Sequence, residues 1–206
     1  MRRVSLNLTL SLALLLLCAG CTDFYWKYVD SLGRDSWQQP KAVIQSLNIR
    51  PGTHVADLGA GGGYFSFPLA EAVGPEGKVF AVDVDEASLN YIAGQAQDRG
   101  VSNIDVILAA SDDPRLPLRG VDLIFTCNTY HHFKRRVGYM KSLLKYLRPD
   151  GRIAIIDYTN EGWFSKMFGH WTPKETIRQE MEAAGYQLIN DFDFLTKQHF
   201  QIFRLR

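Results

Sequence analysis

Cysteine is scarce in this sequence: three in 206 residues, at Cys18, Cys21 and Cys127. Two of them fall in an N-terminal leader. If Cys18 is removed with that leader and Cys21 is modified, only Cys127 remains and no disulfide can form within the domain. No cysteine or histidine cluster has zinc-ligand spacing, so no metal is expected. An excess of one charge is missing too. There are 23 Lys and Arg against 22 Asp and Glu, a net charge of +1 that becomes −1 without Arg2 and Arg3. Nucleic-acid binders concentrate basic residues on one surface. The one basic cluster, Lys134-Arg135-Arg136, reads as a solvated helix start, so no nucleic-acid partner is expected. What remains is an ordinary globular composition, 46% hydrophobic and 22% charged, in a length that suits one domain with a substantial core.

Residues 1–20 carry two arginines, an apolar stretch ending in Leu14-Leu15-Leu16-Leu17, and then Cys18-Ala19-Gly20-Cys21. That order is the charged, apolar and small-residue plan of a signal peptide. The apolar stretch is short and carries Asn7 and Thr9, which makes it a poor permanent span. Ala19-Gly20-Cys21 resembles a bacterial lipobox, which implies an exported lipoprotein held at a membrane through Cys21. An uncleaved anchor facing the cytoplasm is the alternative. The expected divisions are a signal peptide at 1–20, a tether at 21–36 and one folded domain at 37–206.

The domain turns on residues 54–64, His-Val-Ala-Asp-Leu-Gly-Ala-Gly-Gly-Gly-Tyr. Val55, Ala56 and Leu58 predict a buried parallel strand, the glycines a tight turn, and Phe65 to Val73 a helix closed by Gly74-Pro75. Strand, glycine turn and helix N-terminus together aim backbone N–H groups at a ligand. A dinucleotide fingerprint needs G-x-G-x-x-G. Its third glycine would fall on Tyr64, so the spacing argues against a nicotinamide enzyme.

Asp57-Leu58-Gly59-Ala60-Gly61-Gly62-Gly63-Tyr64 resembles motif I of the class I S-adenosylmethionine (SAM)-dependent methyltransferases. Leu147-Arg148-Pro149-Asp150-Gly151-Arg152-Ile153 matches the turn before strand five in that family, and residues 172–186 resemble a late helix of ubiquinone-type methyltransferases. The resemblance implies an α/β, three-layer, Rossmann-like fold with a seven-stranded, mostly parallel sheet. It also implies SAM as cofactor and contacts to it from Asp57, Gly59, Ala60, Gly61, Gly63, Asp83, Asp112 and Asn128. Asp83 has a reason of its own. It ends the second strand about 20 residues past the glycines, where an acid accepts bonds from ribose hydroxyls. Counting back from Leu116-Pro117 puts Asp112 at the family's adenine-binding acid, with Asp113 the competing choice.

Ligands of open α/β sheets bind beyond the carboxyl ends of the strands. Thr126 to Phe133 follows the fourth strand, Val121 to Phe125, and contains Tyr130, His131 and His132 as candidate catalytic or acceptor-contacting residues. Histidine titrates near neutrality and can take a proton from an incoming O, N or S nucleophile. Asp157 and Tyr158 end the fifth strand near the same place. Trp37 is expected either over the cofactor cleft or against the core. Other expectations are a helix over Val137 to Leu147, Thr172 as N-cap of a late helix, and closing strands over Leu188 to Phe194 and Gln198 to Leu205. An aromatic loop, Glu161 to His170, is expected at the cleft mouth. The function expected is methyl transfer to a small-molecule acceptor at a membrane, the alternative being a non-catalytic ligand-binding lipoprotein that retains the fold.

Overall fold

The computed structural model describes residues 33–159 and 171–206. The leader, the Cys21 anchor and the aromatic loop Glu161 to His170 lie outside the described residues. Two short helices come first, α1 (Arg34–Gln38) and α2 (Pro40–Ser46). Gln39, at φ 47°, breaks them apart, and Pro40 starts the second because its fixed φ suits a first helical turn. Then follow β1 (His54–Leu58), α3 (Ser66–Val73), β2 (Lys78–Asp83), α4 (Glu86–Asp98), β3 (Ile104–Leu108) and β4 (Val121–Cys127). A 3₁₀ turn at Tyr130–His132 leads to α5 (Arg136–Ser142), β5 (Leu147–Tyr158), α6 (Lys174–Ala183), β6 (Tyr186–Phe192) and β7 (Gln198–Leu205).

The seven strands form one sheet in the order β3-β2-β1-β4-β5-β7-β6. The first five are parallel, and β7 runs antiparallel to both its neighbours. The expected seven-stranded, mostly parallel sheet is therefore present. Its central strands read as unbroken apolar runs because helices cover both faces. Ala56, Ile124, Ile155 and Phe203 pack on one face with Ile177 and Met181 of α6. Val55, Phe125, Ile156 and Phe200 pack on the other with Val43 of α2 and Leu69 of α3. Each of the larger of these side chains contributes about 1.5–3 kcal/mol by leaving water. Among the described residues, no helix is long and apolar enough to cross a membrane.

Local departures have local causes. Asp85 caps α4 as its sequence suggests, accepting from Ser88 N at 3.1 Å. Thr172 does not cap α6. Pro173 takes the N-cap position, its ψ of 139° lying outside the helical range, so the helix starts one residue later and Thr172 is buried outside it. The expected 137–147 helix stops at Ser142, tightens into a 3₁₀ turn at Leu143–Lys145, and gives Leu147 to β5. The turn expected at Leu147–Arg152 is absorbed into β5 as an irregularity. Pairing jumps from Val121↔Leu147 to Leu123↔Arg152, with Asp150 at φ 65° between. The first closing strand begins at Tyr186 rather than Leu188.

Candidate active site

The glycine turn joins β1 to α3 at the carboxyl edge of the sheet. Gly59, Gly61 and Gly63 have φ of 81°, 51° and 81°, the left-handed region that glycine enters without steric cost. At Gly59 space is also lacking, because a Cβ there would lie 2.3 Å from Thr129 Oγ1. The turn is fastened to β2: Gly59 N and Ala60 N both donate to the Val82 carbonyl, at 2.8 and 3.1 Å. Gly61 N donates to Asp83 Oδ2 at 2.8 Å, and Asp85 N donates to Asp83 Oδ1 at 3.0 Å. Asp83 thus ends β2 beside the glycines, as its spacing predicts, and also holds the turn in shape.

Asp57 lies under the turn, 3% exposed, and accepts from Ser66 Oγ at 2.6 Å. Burial pushes its carboxyl up to about 7; the Ser66 bond opposes this, and the Asp83 charge adds to it. Past β3, the two candidate acids separate. Asp113 accepts from the Tyr146 hydroxyl and from Arg115 N (2.9 Å), and these bonds hold its carboxyl below the usual range. Asp112 is exposed. The carboxylate of Asp113 is thus occupied in fastening the loop to Tyr146, which leaves Asp112 as the adenine-side candidate.

At the end of β4, Asn128 stands at φ 56° and its Oδ1 accepts from Gln198 Nε2 at 2.5 Å. Gln38 Nε2 donates to Gln198 Oε1 at 3.0 Å and to Cys127 Sγ at 2.8 Å. Burial pushes the Cys127 thiol up to about 12, so it is no nucleophile near neutral pH. This amide network ties α1 to β4 and β7. Trp37, also on α1, has its ring centroid 6.1 Å from that of Tyr158 at the end of β5. Helix α1 therefore roofs the strand ends, the first of the two places expected for Trp37.

The triplet Tyr130-His131-His132 divides. Tyr130 is fully buried, and its hydroxyl donates to Glu180 Oε2 at 2.7 Å. Glu180 also holds Arg136 through two bonds, at 2.7 and 2.8 Å. Burial, then the Glu180 contact, push the Tyr130 hydroxyl up. That bond pins the 3₁₀ turn to α6. His131 instead meets Asp157, Nδ1 to Oδ1, at 2.7 Å, with side-chain exposures of 5% and 0%. The carboxylate only accepts, so Nδ1 carries the proton and Nε2 the lone pair of the neutral ring. His132 is exposed, its ring centroid 4.1 Å from that of His131.

Asp57 and Asp83 lie at the ends of neighbouring strands β1 and β2 beside the glycine cradle, and Asp112 follows β3 in the next loop. A ligand bearing cations and hydrogen-bond donors fits that set, and SAM offers a sulfonium, an ammonium, ribose hydroxyls and an adenine amine. A groove of about 870 Å³ runs from Gly62 and Gly63 of the turn along α3 and α4, lined by Tyr64, Phe67, Tyr91 and Arg99; it contains none of these three acids. Among the described residues, no group of three or more His, Cys, Asp or Glu is arranged to hold a metal.

The strand order, the glycine cradle and the acids around it define a class I, SAM-dependent methyltransferase domain. The chain belongs to the methyltransferase-domain family whose model matches residues 49–201. It is similar to a nocamycin O-methyltransferase of Saccharothrix syringae, 31% identical over 56% of this chain and 41% of that one. It is also similar to a ubiquinone/menaquinone biosynthesis C-methyltransferase of Ectopseudomonas mendocina, 25% identical over 73% of this chain and 58% of that one. The chain thus spans about half the length of these curated relatives. A SAM-dependent methyltransferase from Aquifex aeolicus has the same fold, with a TM-score of 0.80 at 24% identity over 88% of this chain and 97% of that one.

Proposed function

We propose that this protein transfers the SAM methyl group to a small-molecule acceptor whose nucleophile is deprotonated by His131, with Asp157 orienting the base. The observation that carries the reading is the buried 2.7 Å contact between His131 Nδ1 and Asp157 Oδ1, at the ends of adjacent strands β4 and β5. SAM supplies an electrophilic methyl group on a sulfonium. Asp57, the Gly59–Gly63 turn, Asp83, Asp112 and Asn128 are the residues to hold it. As the acceptor's X–H attacks, His131 Nε2 takes the proton, and Asp157 stabilises the imidazolium that forms. Holding both reactants in line and away from water is the rest of the protein's work.

The names of the two curated relatives, an O- and a C-methyltransferase, support a small-molecule acceptor and leave the accepting atom open. Titration calorimetry on the full chain tests the cofactor, with micromolar binding of SAM and S-adenosylhomocysteine expected. A screen with methyl-labelled SAM then tests transfer. A folded protein that binds neither ligand ends the methyltransferase reading and leaves the ligand-binding lipoprotein. The leader supports membrane attachment through a lipid on Cys21. Radiolabelled fatty acid should enter the wild-type chain and not Cys21→Ser; equal labelling removes the anchor.

A further inference from the structure

Behind the His131–Asp157 contact lies a second layer of polar groups. Asp157 is fully buried, and its Oδ1 already accepts from His131 and from Tyr158 N at 3.0 Å. Its Oδ2 has no hydrogen-bond partner among the described residues, and neither do three other buried atoms, Thr126 Oγ1, His199 Nε2 and Gln201 Oε1. Register brings all four to one region. Asp157 sits directly opposite His199 in the antiparallel β5–β7 pair. Ile155, two residues back, is flanked by Thr126 on β4 and Gln201 on β7. Paired residues share a sheet face and every second residue returns to it. The four side chains therefore stand on the face covered by α5 and α6.

Native proteins rarely leave buried polar atoms unpaired, and four together require an explanation. The chemistry is complementary. Asp157 Oδ2 and Gln201 Oε1 accept, while Thr126 Oγ1 and the His199 ring can donate. Burial holds His199 below its usual range against the pull of Asp157 and Asp191, with Lys174 and Glu175 acting in opposite senses on the same ring. A neutral ring has one N–H, and Nε2 is the ring nitrogen that is buried without a partner. Polar groups that surround a small internal space commonly satisfy one another through an ordered water.

We propose that His199 is a positioning residue for the His131–Asp157 pair, presenting Nε2–H to Asp157 Oδ2 across one bridging water beside Thr126 and Gln201. The inference rests on the proposed role of His131 as base. A carboxylate held at both oxygens keeps one orientation, and so fixes the plane and tautomer of His131. Without support at Oδ2, Asp157 is held through Oδ1 alone, and its terminal torsion, a broad one in carboxylates, is less restrained in keeping Nδ1–H.

Ring-nitrogen NMR on the ¹⁵N-labelled full chain reads this directly, and five histidines keep the spectrum assignable. Wild type should show His199 protonated on Nε2 and a His131 Nδ1–H resonance protected from exchange. His199→Phe should lose the His131 resonance, and His199→Gln, which keeps an N–H donor, should retain it, with SAM affinity unchanged in both. A His131 resonance unaltered in folded His199→Phe overturns the proposal. If that variant does not fold, the wild-type tautomer decides, and a His199 proton on Nδ1 overturns the proposal. Asp157→Asn separates the two readings. Loss of the His131 resonance there with no effect of His199→Phe keeps the base and removes only His199, whereas no loss in Asp157→Asn removes the base itself.

Discussion

The cofactor and acceptor halves proposed for the strand-end cleft are built differently. The cofactor half follows the chain: Asp57, the glycines and Ser66 lie within ten residues, and Asp83 follows at the end of the next strand. The acceptor half is assembled across the sheet. His131 meets Asp157, 26 residues on, and Asp157 faces His199 only because β7 enters antiparallel between β5 and β6. A cradle built from one turn survives changes elsewhere, whereas a base assembled from three strands depends on the register of all of them.

Substitutions that remove the base should show the contrast most strongly. His131→Ala should lower methyl transfer by about 10²–10⁴-fold, the usual contribution of a positioned acid–base group. Asp157→Asn should act in the same direction, and SAM affinity should hold in both. Single-turnover kinetics with saturating SAM checks this. A loss shared by turnover and SAM binding would place His131 on the cofactor side and dissolve the distinction between the halves.

Asp57 tests the cofactor half through stability. A carboxyl whose folded value is raised to about 7 from 3.8 binds more protons in the native than in the unfolded state between those values. Its contribution is therefore fully present below about 4 and is lost as pH rises through 7, a change on the order of a few kcal/mol. Denaturant unfolding of wild type and Asp57→Asn across pH 4–8 should show the variant gaining on wild type as pH rises. A pH-independent difference would mean that Asp57 stays ionised throughout.

Asp83 comes next in size. Its carboxylate accepts from Gly61 N and Asp85 N and is the candidate for the ribose. Asp83→Ala should weaken SAM about 100-fold, the loss expected from one or two hydrogen bonds to a charged group. Stability should change less, because the Val82 carbonyl still holds Gly59 and Ala60. Unchanged affinity by calorimetry would reduce Asp83 to a support for the turn.

What was legible in the sequence follows the same division. The strand, the glycine turn, the placement of Asp83 and the seven-stranded, mostly parallel sheet follow from local periodicity, from residues that only particular backbone conformations favour, and from one family resemblance. Counting from Leu116-Pro117 favours Asp112 over Asp113, but the bond that occupies Asp113 was not legible, because its donor is Tyr146, 33 residues further on. Nor were the Gln38–Cys127–Gln198 network and the Arg136–Glu180 pair, whose partners lie 44 or more residues apart. For Asp157 the available signal was an acid ending an otherwise apolar strand. The reason for that acid, a histidine on each side, appears only in the sheet.

Tyr130 gives the smallest and most discriminating test, because it adjoins His131 in sequence and differs from it in every physical respect. Its ring fills the core and its hydroxyl belongs to Glu180, which Arg136 still holds through two bonds once that hydroxyl is gone. Tyr130→Phe keeps the apolar volume and leaves Glu180 paired, so it should cost about 1 kcal/mol of stability, the net worth of one hydrogen bond. Methyl transfer should be unchanged. A drop in transfer approaching that of His131→Ala, with stability intact, would mean that the Tyr130 hydroxyl leaves Glu180 for the acceptor during turnover, and the triplet would act as one catalytic unit.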